Sequence, residues 1–87
     1  MTRQVAILPS ALRQLAALPQ PDQRRIRRKI DALASEPRPT GAKRLQSEHE
    51  LLRLRCGNYR IIYTIERDRP MVLVVKIGHR REVYRGI

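Results

Sequence analysis

Residues 51–85 read LLRLRCGNYRIIYTIERDRPMVLVVKIGHRREVYR, from Leu51 to Arg85, and the reading of this stretch decides the fold. From Leu51 the apolar period is two. Leu52, Leu54 and Cys56 alternate with Arg53 and Arg55, the pattern of a strand with one wet face. Gly57-Asn58 then separates two alternating runs, which signals a hairpin turn. Tyr59 to Glu66 forms the next strand, and Arg67-Asp68-Arg69-Pro70 a turn. Met71 to Ile77 is a third, very apolar strand that Gly78 closes, leaving His79 to Arg85 as a short basic tail. Three consecutive strands with short turns make an antiparallel meander.

Upstream of the meander the period changes. Ala42 to Glu50 is polar and reads as irregular, and Glu36-Pro37-Arg38-Pro39-Thr40-Gly41 is a cluster of helix breakers. Before it, Ile26, Ile30 and Leu33 recur at i, i+4 and i+7, which predicts a helix from about Pro21 to Ser35. Pro21 suits a first turn, and Asp22 complements the positive end of the helix dipole. Leu12, Leu15 and Ala16 mark a shorter helix from Ser10 to Leu18, ended by Pro19 and Pro21. Val5-Ala6-Ile7-Leu8, stopped by Pro9, reads as a strand of the buried type. The expected class is α+β: one domain over residues 1–87, ordered strand, helix, helix, strand, strand, strand. Its two N-terminal helices pack on one face of a small, mainly antiparallel sheet.

The charge balance narrows the partners. Nineteen Lys and Arg face eight Asp and Glu, a formal net charge of +11 with a pI near 11.4. Residues 1–43 carry nine basic and three acidic side chains and residues 44–87 ten and five, so the excess belongs to the folded domain. Such a domain attracts polyanions: nucleic acid, an anionic membrane surface or an acidic protein. Arg heavily outnumbers Lys, and its planar fork matches phosphate geometry. A GC-rich genome would also favour Arg. The single cysteine, Cys56, permits no intrachain disulfide, which suits a reducing cytoplasm. No apolar run approaches the ~20 residues that cross a bilayer. The apolar run before Pro9 is only four residues long, too short for a signal peptide. A cytoplasmic protein without a membrane partner is the expectation.

The hairpin brings the arginines together. With Gly57-Asn58 as the loop, Cys56 pairs with Tyr59, Arg55 lies opposite Arg60, and Arg53 opposite Ile62. Opposed side chains share a sheet face. Arg53, Arg55 and Arg60 therefore converge on one side, while Leu52, Leu54, Cys56, Tyr59, Ile61, Tyr63 and Ile65 bed the helices on the other. Opposed arginines repel. The arrangement makes sense around an anion; alternatively Glu48, Glu50 or Glu66 neutralises the arginines, or they point into water. The tail adds His79, Arg80, Arg81, Tyr84 and Arg85, which read either as cations plus one stacking ring or as a charge-protected edge strand. Lys43, Arg44 and Lys76 join Arg53, Arg55, Arg81 and Arg85 as candidate nucleic-acid contacts.

Other chemistries find no support. His49, Cys56 and His79 lack metal-ligand spacing, and there is no G-x-x-x-x-G-K-[ST] phosphate loop. A Cys56–His79 nucleophile pair would need both on one face, and the hairpin register puts Cys56 on the core side. Neither a metal nor a small-molecule cofactor is expected.

The same stretch resembles the RelE branch of the RelE/ParE toxin superfamily. The likeness runs through an R-x-R strand, a G-x-Y-R-I-I-Y strand, an apolar strand ending in Gly-His-Arg, and Glu-Val-Tyr-Arg; the N-terminal strand and helices extend it over nearly the whole chain. The resemblance implies the toxin of a type II toxin–antitoxin pair: a ribosome-dependent endoribonuclease that cuts mRNA in the A site, among ribosomal RNA, with an acidic antitoxin as protein partner. It further implies metal-independent cleavage, in which the ribose 2′-oxygen attacks the adjacent phosphate and leaves a 2′,3′-cyclic phosphate and a 5′-hydroxyl. By the same resemblance Arg60 and Arg80 hold the phosphate and Tyr84 orients the nucleotide. Arg53 and Leu51 stand where other members have catalytic lysines. Arginine stays protonated and is a poor base, so the role falls to His79 or to ribosomal RNA groups. The alternative is a ParE-like toxin, which inhibits DNA gyrase and is no nuclease.

Overall fold

A computed structural model of the chain describes residues 3–45, 50–66, 68–69 and 71–85. The elements run β1 (Gln4–Ile7), α1 (Pro9–Ala16), α2 (Gln20–Ala32), β2 (Lys43–Arg44), β3 (Leu52–Cys56), β4 (Tyr59–Glu66) and β5 (Met71–His79). The five strands form one sheet in the order β1-β5-β4-β3-β2. β1 runs parallel to β5 and every other pairing is antiparallel. The architecture is the expected α+β arrangement; the N-terminal strand, expected to be of the buried type, pairs as an edge of the sheet and is only half-buried.

Prolines set the helix starts. Pro19 is the N-cap of α2 and Pro21 lies in its first turn, where a missing N–H costs nothing. Ile26, Ile30 and Leu33 are all buried, as their spacing requires. Removing each from water contributes roughly 1.5–3 kcal/mol. In α1 the buried pair is Ala11 and Leu15, whereas Leu12 is 47% exposed. This eight-residue helix lies against β5 along an i, i+4 edge in which alanine allows close approach. The side chain of Gln14 accepts the Ile77 N–H at 2.9 Å, tying α1 to β5.

The hairpin register is the expected one: Cys56↔Tyr59, Arg55↔Arg60 and Arg53↔Ile62. Gly57 carries φ 60° and Asn58 does not have positive φ, the sign pattern of a II′ turn that fits strand twist. On the helix side Leu52, Leu54, Cys56, Ile61, Tyr63, Val72, Val74 and Ile77 join Ala11, Leu15 and the α2 stripe in one core. The Tyr63 hydroxyl donates to the Pro37 carbonyl at 2.8 Å and so pins the breaker segment to the sheet. Burial pushes that hydroxyl above the ordinary tyrosine range, with the positive charge of Arg38 opposing.

Two expectations are corrected. Ala42–Glu50 is not wholly irregular: Lys43 and Arg44 pair with Arg53 and Leu52 as β2, while residues 46–49 lie outside the described set. Gly78 does not close β5, which continues to His79. The pairing of β4 with β5 shifts between Ile62 and Tyr63, so that Ile62 lies opposite Lys76 but Tyr63 opposite Val74. Val75 is the extra residue of a β-bulge. It changes which alternate residues face the helices, from Val72 and Val74 before it to Ile77 and His79 after it. Of the turn at 67–70, Asp68 and Arg69 are described and adopt turn geometry; Arg67 and Pro70 lie outside the described residues.

Candidate nucleic-acid interface

The face of the sheet away from the helices carries two cross-strand rows. One runs Lys43, Arg53, Ile62, Lys76 and the other Arg55, Arg60, Gly78. Directly opposed residues project from the same side. Gly41, Lys43, Arg53, Arg55 and Arg60 line an open cleft of about 270 Å³. Four cations and no carboxylate line this cleft among the described residues. β2 brings Lys43 directly beside Arg53, a neighbour that the hairpin pattern alone could not reveal.

The C-terminal segment folds back over this face instead of forming an edge strand. Val83 packs over Gly78, where a Cβ would lie 3.4 Å from the Val83 side chain, an ordinary contact with no space beyond it for a larger side chain. Val83 and Ile62 are both fully buried, although neither belongs to the helix-side core. The turn is held by the amides of Glu82 and Val83 on the His79 carbonyl, each at 2.9 Å, and by the Arg80 amide on the Asn58 carbonyl at 2.8 Å. This fold-back brings Tyr84 to the arginine row, where Arg53 Nη1 donates to its hydroxyl at 3.1 Å. Lys76 Nζ donates to the Arg85 carbonyl.

Arg60 is half-buried, not exposed, and its Nη1 donates to the Gly57 and Tyr59 carbonyls at 3.3 and 3.1 Å. Its guanidinium is thereby fixed near the hairpin instead of sweeping through solvent. Arg80 is exposed just past β5, at the hairpin end of the sheet. Arg81 is also exposed, its amide donating to His79 Nδ1 at 3.3 Å.

Lys76, Arg80, Arg81 and Arg85 do not line the cleft, and two further candidates lie on the opposite, helix side. His79 pairs with Tyr59 on the helix side, and their rings meet edge to face with centroids 6.1 Å apart. The Val75 bulge explains this: without it, His79 would share the face of the arginines. Arg44 lies opposite Leu52, also on the helix side, and pairs with Glu50 at 3.7 Å. No group of three or more His, Cys, Asp or Glu able to hold a metal occurs among the described residues. Among them, too, no helix is long and apolar enough to cross a membrane.

Residues 5–84 match the family described as the ParE toxin of type II toxin–antitoxin systems, parDE. The chain belongs to that toxin family. A relative from Methanocaldococcus jannaschii that bears the name RelE1 is 28% identical over 85 residues, which are 94% of each chain. Among solved structures, a chain of the archaeal RelE–RelB complex from Pyrococcus horikoshii superposes with a TM-score of 0.82 at 28% identity, over 95% of this toxin and 100% of that chain. A chain of the Mycobacterium tuberculosis RelBE2 toxin–antitoxin complex gives 0.81 at 26% identity, over 92% and 100%. The isolated Escherichia coli RelE toxin, 18% identical, shares the fold with a TM-score of 0.77 over 88% of this toxin and 83% of that chain. The architecture of this toxin is thus that of the RelE-like superfamily.

Proposed function

We propose that this toxin is an endoribonuclease that cuts mRNA in the ribosomal A site, and that an acidic antitoxin restrains it. The observation that carries the reading is the cleft of Lys43, Arg53, Arg55 and Arg60 with Tyr84 held at its rim by Arg53. Folding alone gives no reason to oppose Arg55 to Arg60, since like charges in direct register are destabilising. A phosphodiester between them removes that cost.

The chemistry follows from what such a cleft can supply. The 2′-oxygen loses its proton and bonds to phosphorus, the phosphorus–O5′ bond breaks, and O5′ takes up a proton. Arg60 and Arg55 stabilise the charge that develops on the non-bridging oxygens. The Arg53 guanidinium donates to the Tyr84 oxygen, which leaves the phenolic hydrogen free to be donated to the leaving 5′-oxygen. His79 faces the other way, and arginine is a poor base. Lys43 lines the cleft, and its amine, in the neutral form, takes the proton of the 2′-hydroxyl. Products are a 2′,3′-cyclic phosphate and a 5′-hydroxyl.

The partner follows from charge and kinship. Relatives of this fold were solved as toxin–antitoxin complexes, and a domain of net charge +11 favours an acidic protein as its own.

Induction in cells followed by primer extension on a reporter transcript tests the reading. In-frame cuts that vanish when translation of that message is blocked are the expected result. DNA damage without mRNA cuts would overturn it in favour of a gyrase inhibitor, the activity of ParE-type toxins that the resemblance kept open.

A further inference from the structure

The arginine cleft has an exit. β2 pairs only with the Leu52 and Arg53 positions of β3, so among the described residues the Arg55–Cys56 end of that strand is an unpaired edge. Around this edge lies a second concavity of about 420 Å³, lined by Arg25, Arg28, Lys29, Ala32, Arg55, Cys56 and Gly57. Arg55 belongs to both cavities. Arg25, Arg28 and Lys29 stand at i, i+3 and i+4 of α2, neighbours on one flank with Cβ atoms about 5–6 Å apart. All three are exposed, although the same helix buries Ile26 and Ile30. The core does not require them. The Arg25 guanidinium is positioned over the hairpin: it pairs with Asp22 and lies 3.8 Å from where a Gly57 Cβ would stand. Small floor residues, Ala32, Cys56 and Gly57, leave room for a ribose or base beside these cations.

We propose that this flank of α2 is a second RNA-binding site, continuous with the cleft, along which the strand beside the scissile phosphate leaves around the β3 edge. Arg55 is the joint between the two faces of the sheet. The assignment rests on the RNA reading of the cleft and extends it: the cleft holds the reacting phosphate, while Arg25, Arg28 and Lys29 hold the backbone of flanking nucleotides. Guanidinium groups both pair with phosphate and stack on bases, so the track is tolerant of sequence.

The test uses the full chain and fluorescently labelled 2′-O-methyl oligouridylates of about 4 and about 12 nucleotides. The methyl group blocks cleavage and isolates binding. The longer probe is expected to bind more tightly and with a steeper salt dependence. Arg25→Glu/Arg28→Glu is expected to weaken it about tenfold and to lower the slope of log K against log salt by about 1.4, two contacts at about 0.7 each. The same pair leaves the shorter probe unchanged, whereas Arg60→Ala weakens both. Should charge reversal disturb α2, Arg25→Gln/Arg28→Gln gives the same comparison at the same slope. Equal binding of the two probes by the parent, or no loss for the longer probe in the double variant, overturns the track. So does loss of poly-glutamate binding with RNA binding intact, which assigns the flank to an acidic protein. If Arg60→Ala leaves the shorter probe unaffected, the cleft itself is not an RNA site and the underlying reading fails instead.

Discussion

Arg53 and Tyr84 stand 31 residues apart in sequence, yet the guanidinium of one donates to the phenolic oxygen of the other at 3.1 Å. The contact fixes the orientation of a ring on a segment that has no regular secondary structure. If the hydroxyl protonates the leaving oxygen, Tyr84→Phe should lower the single-turnover cleavage rate at least ~10²-fold, the usual contribution of a positioned acid. A ring that only stacks would leave the phenylalanine variant active and only Tyr84→Ala impaired. Quench-flow cleavage of a programmed ribosome separates the two.

Arg60→Ala should cost ~10²–10³ in rate, as loss of one positioned charge contact usually does. Its bonds to the Gly57 and Tyr59 carbonyls predict a loss of about 1 kcal/mol in stability as well. Urea unfolding beside the kinetic assay checks both. A folded Arg60→Ala that remains as toxic as the parent would remove Arg60 from the mechanism.

The fold was legible wherever the pattern was local. Leu52, Leu54 and Cys56 against Arg53 and Arg55, with Gly57-Asn58 between the runs, define the hairpin and its register. The α2 stripe names its own buried face. What could not be read depends on a single inserted residue and on fold-back. Nothing in the apolar run 71–77 distinguishes a regular strand from one bulged at Val75, because both of its faces are largely apolar. That one residue turns His79 to the helices. Gly78 reads as a strand end, whereas β5 continues to His79 and Val83 packs over Gly78. Lys43 joins the cleft through a two-residue strand too short to have a period.

The Gly78–Val83 contact can be tested directly. A methyl group at Gly78 would lie at ordinary contact distance from Val83, so Gly78→Ala should fold and cleave nearly as the parent does. Gly78→Val adds two further methyl groups against the same side chain. It should displace the 80–85 turn at a cost of about 1–3 kcal/mol, and carry Tyr84 away from Arg53. The expected signature is a larger loss of cleavage for valine than for alanine, with the helix-side core intact by circular dichroism.

Tyr63 gives a pH dependence. Burial raises its ionisation above the ordinary value. The contribution is therefore complete below the unfolded-state pKa, about 10, and is lost as pH rises through the folded value. In that window the unfolded chain has released a proton that the folded chain retains, so stability falls with pH. Tyr63→Phe should flatten this fall above about pH 10, while lowering stability near neutrality by about 1 kcal/mol through the lost bond to Pro37. Denaturant midpoints across the range, parent against variant, provide the check.

The last prediction concerns which group serves as base. His79 was the attractive choice from sequence, standing between Gly78 and Arg80. Its ring instead lies against Tyr59 on the helix side, with Nδ1 accepting the Arg81 amide. His79→Gln should therefore leave the pH–rate profile of cleavage unchanged in shape and cost less than about threefold in rate, a small fraction of what a general base contributes. Lys43→Met keeps the length of the side chain and removes its amine. It should lower the rate ~10²-fold or more and remove the rise of rate with pH that a general base imposes. Lys43→Arg distinguishes charge from proton transfer, since arginine preserves the first and not the second. An active Lys43→Arg would reduce Lys43 to phosphate binding and leave the proton of the 2′-hydroxyl to a group of the ribosome.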